Sequence, residues 1–139
     1  MPSPDLRPGL AFSQSLRVDE SLLVAAVSRH FRGFADMPPV FATAFLVGFI
    51  EWACIEVIRP YLLAGEHSVG THVDVSHVAA TPAGLVVTAE VRLIAVDGRK
   101  LRFAVACRDE RELVGQGHHE RAIIRAASFI ERVNAKVGR

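Results

Sequence analysis

Three residues of this 139-residue chain are of the types needed to hydrolyse an activated acyl group: the hydroxyl of Thr43, the carboxylate of Glu51 and the imidazole of His77. A carboxylate can attack or act as general base, an imidazole can carry protons near neutral pH, and a hydroxyl can position either. Thr43, Val47 and Glu51 stand at i, i+4 and i+8, so a helix there puts them on roughly one side. Each also has a plainer reading. Glu51 can reach solvent at a sheet edge or bond a backbone amide, His77 can be a satisfied core histidine, and Thr43, following Pro38-Pro39, can cap a helix. The three together carry more weight than any one alone.

Other candidates fall away. His72 and His77, five apart, belong on opposite faces of a strand, as do His118 and His119, so no shared metal is expected. The sequence has no GxSxG, no P-loop and no GxGxxG opening a helix. Gly115-Gln116-Gly117 in a strand reads as close backbone packing rather than a phosphate cradle. The only two cysteines, Cys54 and Cys107, sit in apolar runs. They read as buried free thiols of a reducing cytoplasm.

The elements that must position these residues follow from periodicity. Leu10 to Val18 reads as a strand. Asp19 is a candidate N-cap for a helix through Val27, ending near Phe31 or Gly33, and residues 33–39 form a loop because Pro38-Pro39 cannot continue a helix. A long helix is expected from Thr43 to Leu63. Its apolar residues cover every side of the wheel, which predicts a helix surrounded by protein.

From Ser68 the period becomes two. Val69, Thr71, Val73, Val75 and His77 share one face by simple alternation; a bulge between Val73 and His77 would reverse the facing of His77. Leu85, Val87, Ala89, Val91, Leu93 and Ala95 form the inward face of a second long strand. Asp97-Gly98 signals a tight hairpin to a return strand through Cys107. Residues 109–112 turn the chain into a strand over 113–125, and residues 126–137 form a terminal helix. The order predicts a single α+β domain over residues 1–139, with about 1–9 as a flexible tail.

Half the residues are apolar and mean hydropathy is +0.28, which points to a subunit interface as well as a core. Sixteen basic against fifteen acidic residues offer no concentrated basic face, so no nucleic-acid partner is expected. Residues 1–10 carry Asp5, Arg7 and three prolines instead of a signal-peptide core. The apolar run before Glu51 covers only about half of the ~20 residues a membrane span needs.

The run Val40-Phe-Ala-Thr-Ala-Phe-Leu-Val-Gly-Phe-Ile-Glu-Trp-Ala-Cys54, then Gly70-Thr71, residues 76–84 from Ser76-His77 to Gly84, and Gly117-His-His-Glu-Arg121 resemble the fluoroacetyl-CoA thioesterase family. The resemblance runs in one register from about Leu10 to Lys136. It implies a hot-dog fold, in which a curved antiparallel sheet wraps a long buried central helix. It also implies thioesterase activity on a short-chain acyl-CoA, giving free acid and CoA. By the same resemblance Thr43, Glu51 and His77 are catalytic, and Gly70, Phe34, Met37 and Arg121 meet the substrate. The protein would be a cytoplasmic homodimer without metal or prosthetic group, coenzyme A being part of the substrate. Where the fluoroacetyl-specific enzyme has a lid phenylalanine this chain has Met37, a more adaptable side chain, so a generic short acyl group is the expected substrate. The rival from another class is a non-catalytic hot-dog protein that binds acyl-CoA or another apolar ligand.

Overall fold

The period-two segments pair as expected in a computed structural model, which describes residues 3–138. Five strands, β1 (Ala11–Arg17), β2 (Glu66–Val75), β3 (Val86–Asp97), β4 (Lys100–Arg108) and β5 (Leu113–Arg125), form one sheet in the order β1-β3-β4-β5-β2. All neighbours are antiparallel. The β3–β4 hairpin closes on Gly98-Arg99, with Asp97 opposite Lys100 and Gly98 at φ +60°, the left-handed region its turn requires.

Helix α1 (Thr43–Ile58) lies on the inner face of this sheet. It was expected to reach Leu63. Instead it tightens into a 3-10 turn at Arg59–Tyr61, where Pro60 has no N–H to continue the ladder. Leu46, Phe49, Ile50, Ala53, Cys54, Val57 and Ile58 of α1 are buried, packed with Val87, Ala89, Leu93, Leu101, Phe103 and Cys107 of the strands. The opposite stripe, Ala44, Gly48 and Trp52, is exposed. The expectation of a helix enclosed on every side is therefore corrected for one chain: the apolar residues facing away from the sheet have no cover within it.

The first helix expected is also corrected. Asp19 does cap a turn, its carboxylate accepting from the Ser21 N–H at 2.9 Å. Only 3-10 turns follow, at Glu20–Leu22, Val24–Ala26 and Arg32–Phe34. Leu23 is extended between the first two and bridges Phe41, so a tertiary pairing overrides the local helical pattern. The segment before β1, expected to be a loose tail, has Leu6 buried and the Gly9 N–H donating to the Leu93 carbonyl; Met1 and Pro2 lie outside the described residues. Helix α2 (Ala126–Asn134) ends the fold.

Three register shifts interrupt the simple alternation, one of them between Cys107 and Arg108 where β4 meets β5. A register shift between Leu93 and Ala95 turns Ala95 outward, so it leaves the inner face assigned to it. A second shift between Gly70 and His72 leaves Thr71 unpaired. Gly70 then pairs with Arg121, and Val73 with His119, whose side chains both point inward. Val69 and Thr71 were expected on the face of Val73. The bulge moves Gly70 there in their place.

Candidate active site

α1 carries two polar residues of the site, one at its start and one at its middle. Thr43 opens the helix but does not cap it; Ala42 holds the cap position and no side chain accepts there. The Thr43 hydroxyl instead meets His77 Nδ1 at 2.7 Å. His77 follows the end of β2, in a segment clamped to the chain entering α1. The Phe41 N–H donates to the Thr81 carbonyl, Val40 bridges Pro82, and the buried Thr81 hydroxyl donates to Asp109 at 2.8 Å. β2 ends at Val75, but the Ser76 N–H donates to the Gln116 carbonyl and the Val78 N–H to the Val114 carbonyl, which carries the register with β5 past His77. Its Nε2 is buried without a hydrogen-bond partner among the described residues. Burial pushes the imidazole below its ordinary value of 6.5, with the Ala79 backbone opposing.

Glu51 lies two turns further, about 12 Å along the axis at 1.5 Å per residue. Its side chain is 39% exposed, so the sheet-edge reading is the one observed. Its partner is Arg121, whose NH1 donates to Glu51 Oε2 at 2.8 Å. Arg121 is itself buried, its Nε donating to the Ser68 hydroxyl at 2.8 Å and its NH2 to the Ser68 carbonyl at 2.9 Å. A buried guanidinium needs a carboxylate and a partner on each nitrogen, and this one has both. Gly70 backs directly onto the pair: a Cβ there would stand 2.5 Å from Glu51 Oε2. Glycine is required here for close approach, not for its φ.

One chain thus holds two separate groups, Thr43–His77 and Glu51–Arg121–Gly70. The sequence reading expected Thr43, Glu51 and His77 as one constellation with Gly70 beside it, and missed the distance between the two groups. It also set His119 aside. That residue is 1% exposed and touches Arg121, while His118 points away, so a pair rejected as metal ligands conceals a site residue. Ser68 was missed as well. No signal short of the β2–β5 register singles it out. Phe34 and Met37 stand in the segment leading into α1, Phe34 half-buried and edge-on to Phe31 with ring centroids 5.5 Å apart, Met37 exposed.

The thiols are inert. Burial pushes Cys54 and Cys107 each up to about 12. Among the described residues no group of three His, Cys, Asp or Glu side chains is placed to hold a metal, and no helix is long and apolar enough to cross a membrane. A groove of about 870 Å³ lies across β1, β3, β4 and β5 and is lined by none of the site residues.

Comparison with known proteins gives this geometry its context. Residues 22–127 match the sequence model of a family described as fluoroacetyl-CoA-specific thioesterase (FlK). The fluoroacetyl-CoA thioesterase of Streptantibioticus cattleyicolor is 42% identical over 132 residues, 95% of this chain and 92% of that protein. A solved structure of the fluoroacetyl-CoA thioesterase FlK superposes with TM-score 0.92 at 41% identity, covering 94% of this chain and 97% of the other. A phenylalanine-to-alanine variant of FlK in complex with fluoroacetate and CoA gives 0.87 at 42% identity, covering 89% and 99%. A five-stranded antiparallel sheet curled round a long helix, matched over nearly the whole length, leaves one assignment: the chain belongs to the fluoroacetyl-CoA-specific thioesterase family, hot-dog-fold thioester hydrolases.

Proposed function

We propose that the protein hydrolyses a short-chain acyl-CoA to the free acid and CoA, as a homodimer in which Glu51 of one subunit works with Thr43 and His77 of the other. The relative solved with fluoroacetate and CoA supports the substrate class. The observation that carries the reading is the pair of half-sites on α1. Thr43 and Glu51 each lie four residues from Val47, about 6 Å to either side. A twofold axis beside Val47 and Gly48 would pack two α1 helices antiparallel and set Thr43 of one level with Glu51 of the partner subunit.

Three features support that packing. The stripe Ala44, Gly48 and Trp52 is exposed. Gly48 has no atom within 4 Å of where its Cβ would be, so another backbone can approach. β2 is an edge strand with Val73 exposed, and it lies on the Glu51 side of α1 because Gly70 touches Glu51.

At such a site the thioester carbonyl lies between Glu51 and His77, its oxygen polarised by N–H groups at the start of α1. Glu51 either takes a proton from water, whose oxygen then attacks the carbonyl carbon, or attacks that carbon itself to form a mixed anhydride that water then cleaves. In either case the C–S bond breaks, the CoA thiolate leaves and takes up one proton of that water through His77, and the other leaves with the acid, with Thr43 orienting the imidazole. Arg121 occupies Oε2 and aims the carboxylate. Phe34 and Met37 border the acyl group, and Met37 in the lid favours small acyl groups generally over fluoroacetyl alone. The buried thiols fit a cytoplasmic location. No metal or prosthetic group enters any step.

The test is thiol release from acetyl-, fluoroacetyl-, propionyl- and a longer aryl-CoA by wild type and Glu51→Gln. The reading expects turnover on a short ester, lost in the variant. Binding of CoA esters without turnover by the wild type would make the protein a ligand-binding module.

A further inference from the structure

We propose that His119 is a positioning residue of the reaction, fixing the Arg121 guanidinium against Glu51 and tying both to the β2 bulge that presents Gly70. The inference rests on Glu51 as the reacting carboxylate.

Two contacts define the state of the ring. His119 Nδ1 lies 2.8 Å from the His72 carbonyl oxygen, which can only accept, so Nδ1 carries a proton. Nε2 lies 3.1 Å from Arg121 NH1, which can only donate, so Nε2 presents its lone pair. The ring is therefore neutral and of one tautomer. Burial, the largest influence on it, independently pushes the imidazole below its ordinary value.

The NH1 that donates to His119 also donates to Glu51 Oε2. Each of its two hydrogens has a fixed direction, so the ring sets the angle at which the guanidinium meets the carboxylate. Ser68 holds the other two nitrogens, and Phe103 lies nearly parallel to the imidazole at 6.4 Å. The far side of the ring reaches the bulge: His72, whose carbonyl it grips, is the first residue paired after the register shift, and a Cβ on Gly70 would stand 3.3 Å from His119 Cε1. One side chain thus braces both the backbone of Gly70 and the orientation of Glu51. A packing role alone would be met by an apolar ring. The two polar atoms are engaged where the reaction needs geometry.

The experiment compares wild type, Glu51→Gln, His119→Phe and His119→Gln by steady-state thiol release and thermal unfolding. His119→Phe keeps the ring stack and loses both polar contacts; it should lower kcat about 10- to 100-fold, the cost of a misplacement near 1 Å, with KM changed far less. His119→Gln can return an acceptor to Arg121 and should recover most of the lost kcat. Long-range ¹H–¹⁵N spectra of the folded wild type should show His119 as the neutral Nδ1–H tautomer.

Wild-type kcat in His119→Phe, beside an inactive Glu51→Gln, would overturn this inference and leave the catalytic reading intact. An active Glu51→Gln would overturn that reading itself. Should His119→Phe fail to fold, His119→Gln and the tautomer decide: an Nε2–H ring, or a folded Gln variant as slow as Glu51→Gln, contradicts the proposal.

Discussion

Glu51, Arg121 and His77 differ in how tightly the fold holds them, and that difference separates their roles. Arg121 has bonds on every nitrogen, whereas Glu51 remains over a third exposed. Glu51→Gln keeps an acceptor for Arg121 but removes the charge facing a buried guanidinium, so the variant should stay folded with a lowered Tm, while lowering kcat by about 10²–10⁴, the usual contribution of general base catalysis. Thermal unfolding beside thiol release checks both halves. The imidazoles add a pH prediction. His77 and His119 both sit below 6.5, burial being the first cause in each, so the folded chain binds fewer protons than the unfolded one just beneath that value. Their contribution to stability is complete above about pH 6.5, falls as pH drops toward the depressed folded values, and then levels off. Tm measured from pH 8 to 5 should fall through this window, and His119→Gln should flatten part of the slope.

Among the elements, β5 and β2 carry the local geometry. Gly117, at φ +159°, leaves room for a Cβ only 1.8 Å from the Asp74 carbonyl oxygen, and Gly115 only 2.0 Å from that of Ser76. These obstructions are backbone. Gly117→Ala should cost about 1–3 kcal/mol, the range for overpacking, read as a lowered urea midpoint. Gly70→Ala meets a movable side-chain end instead. It should leave the midpoint near wild type while lowering kcat, because Glu51 must swing away. This contrast also shows what the sequence could disclose. The close packing at Gly115 and Gly117, the Gly98 hairpin, the span of β5 and the long helix were legible because turn chemistry and periodicity are local signals. The Thr71 bulge was not: one unpaired residue leaves the pattern of types unchanged while it trades the faces of Val69 and Gly70. Nor was the broken first helix, since Leu23 answers to Phe41, eighteen positions away. Thr43, Glu51 and His77 could be named from their types and from family resemblance, but only coordinates separate them into two groups.

At the scale of the whole molecule, the exposed stripe of α1 and the outer edge of β2 are where the proposed dimer would form. Gly48→Glu would place a carboxylate where the two helices are proposed to meet. It should yield monomers by light scattering coupled to gel filtration, and those monomers should lack turnover while keeping the wild-type far-ultraviolet spectrum. Active monomers would show that one chain builds the whole site.

Glu51 is proposed to act across the interface on a thioester held by Thr43 and His77, and subunit mixing tests this most directly. Glu51→Gln and His77→Ala homodimers, each inactive, are unfolded together, refolded and assayed for thiol release. Random pairing makes half the dimers mixed, each with one intact site of two, so activity should return to about one quarter of wild type. No recovery, with mixed dimers shown to be present, would contradict the shared site, because a site built within one chain leaves none intact in the mixture.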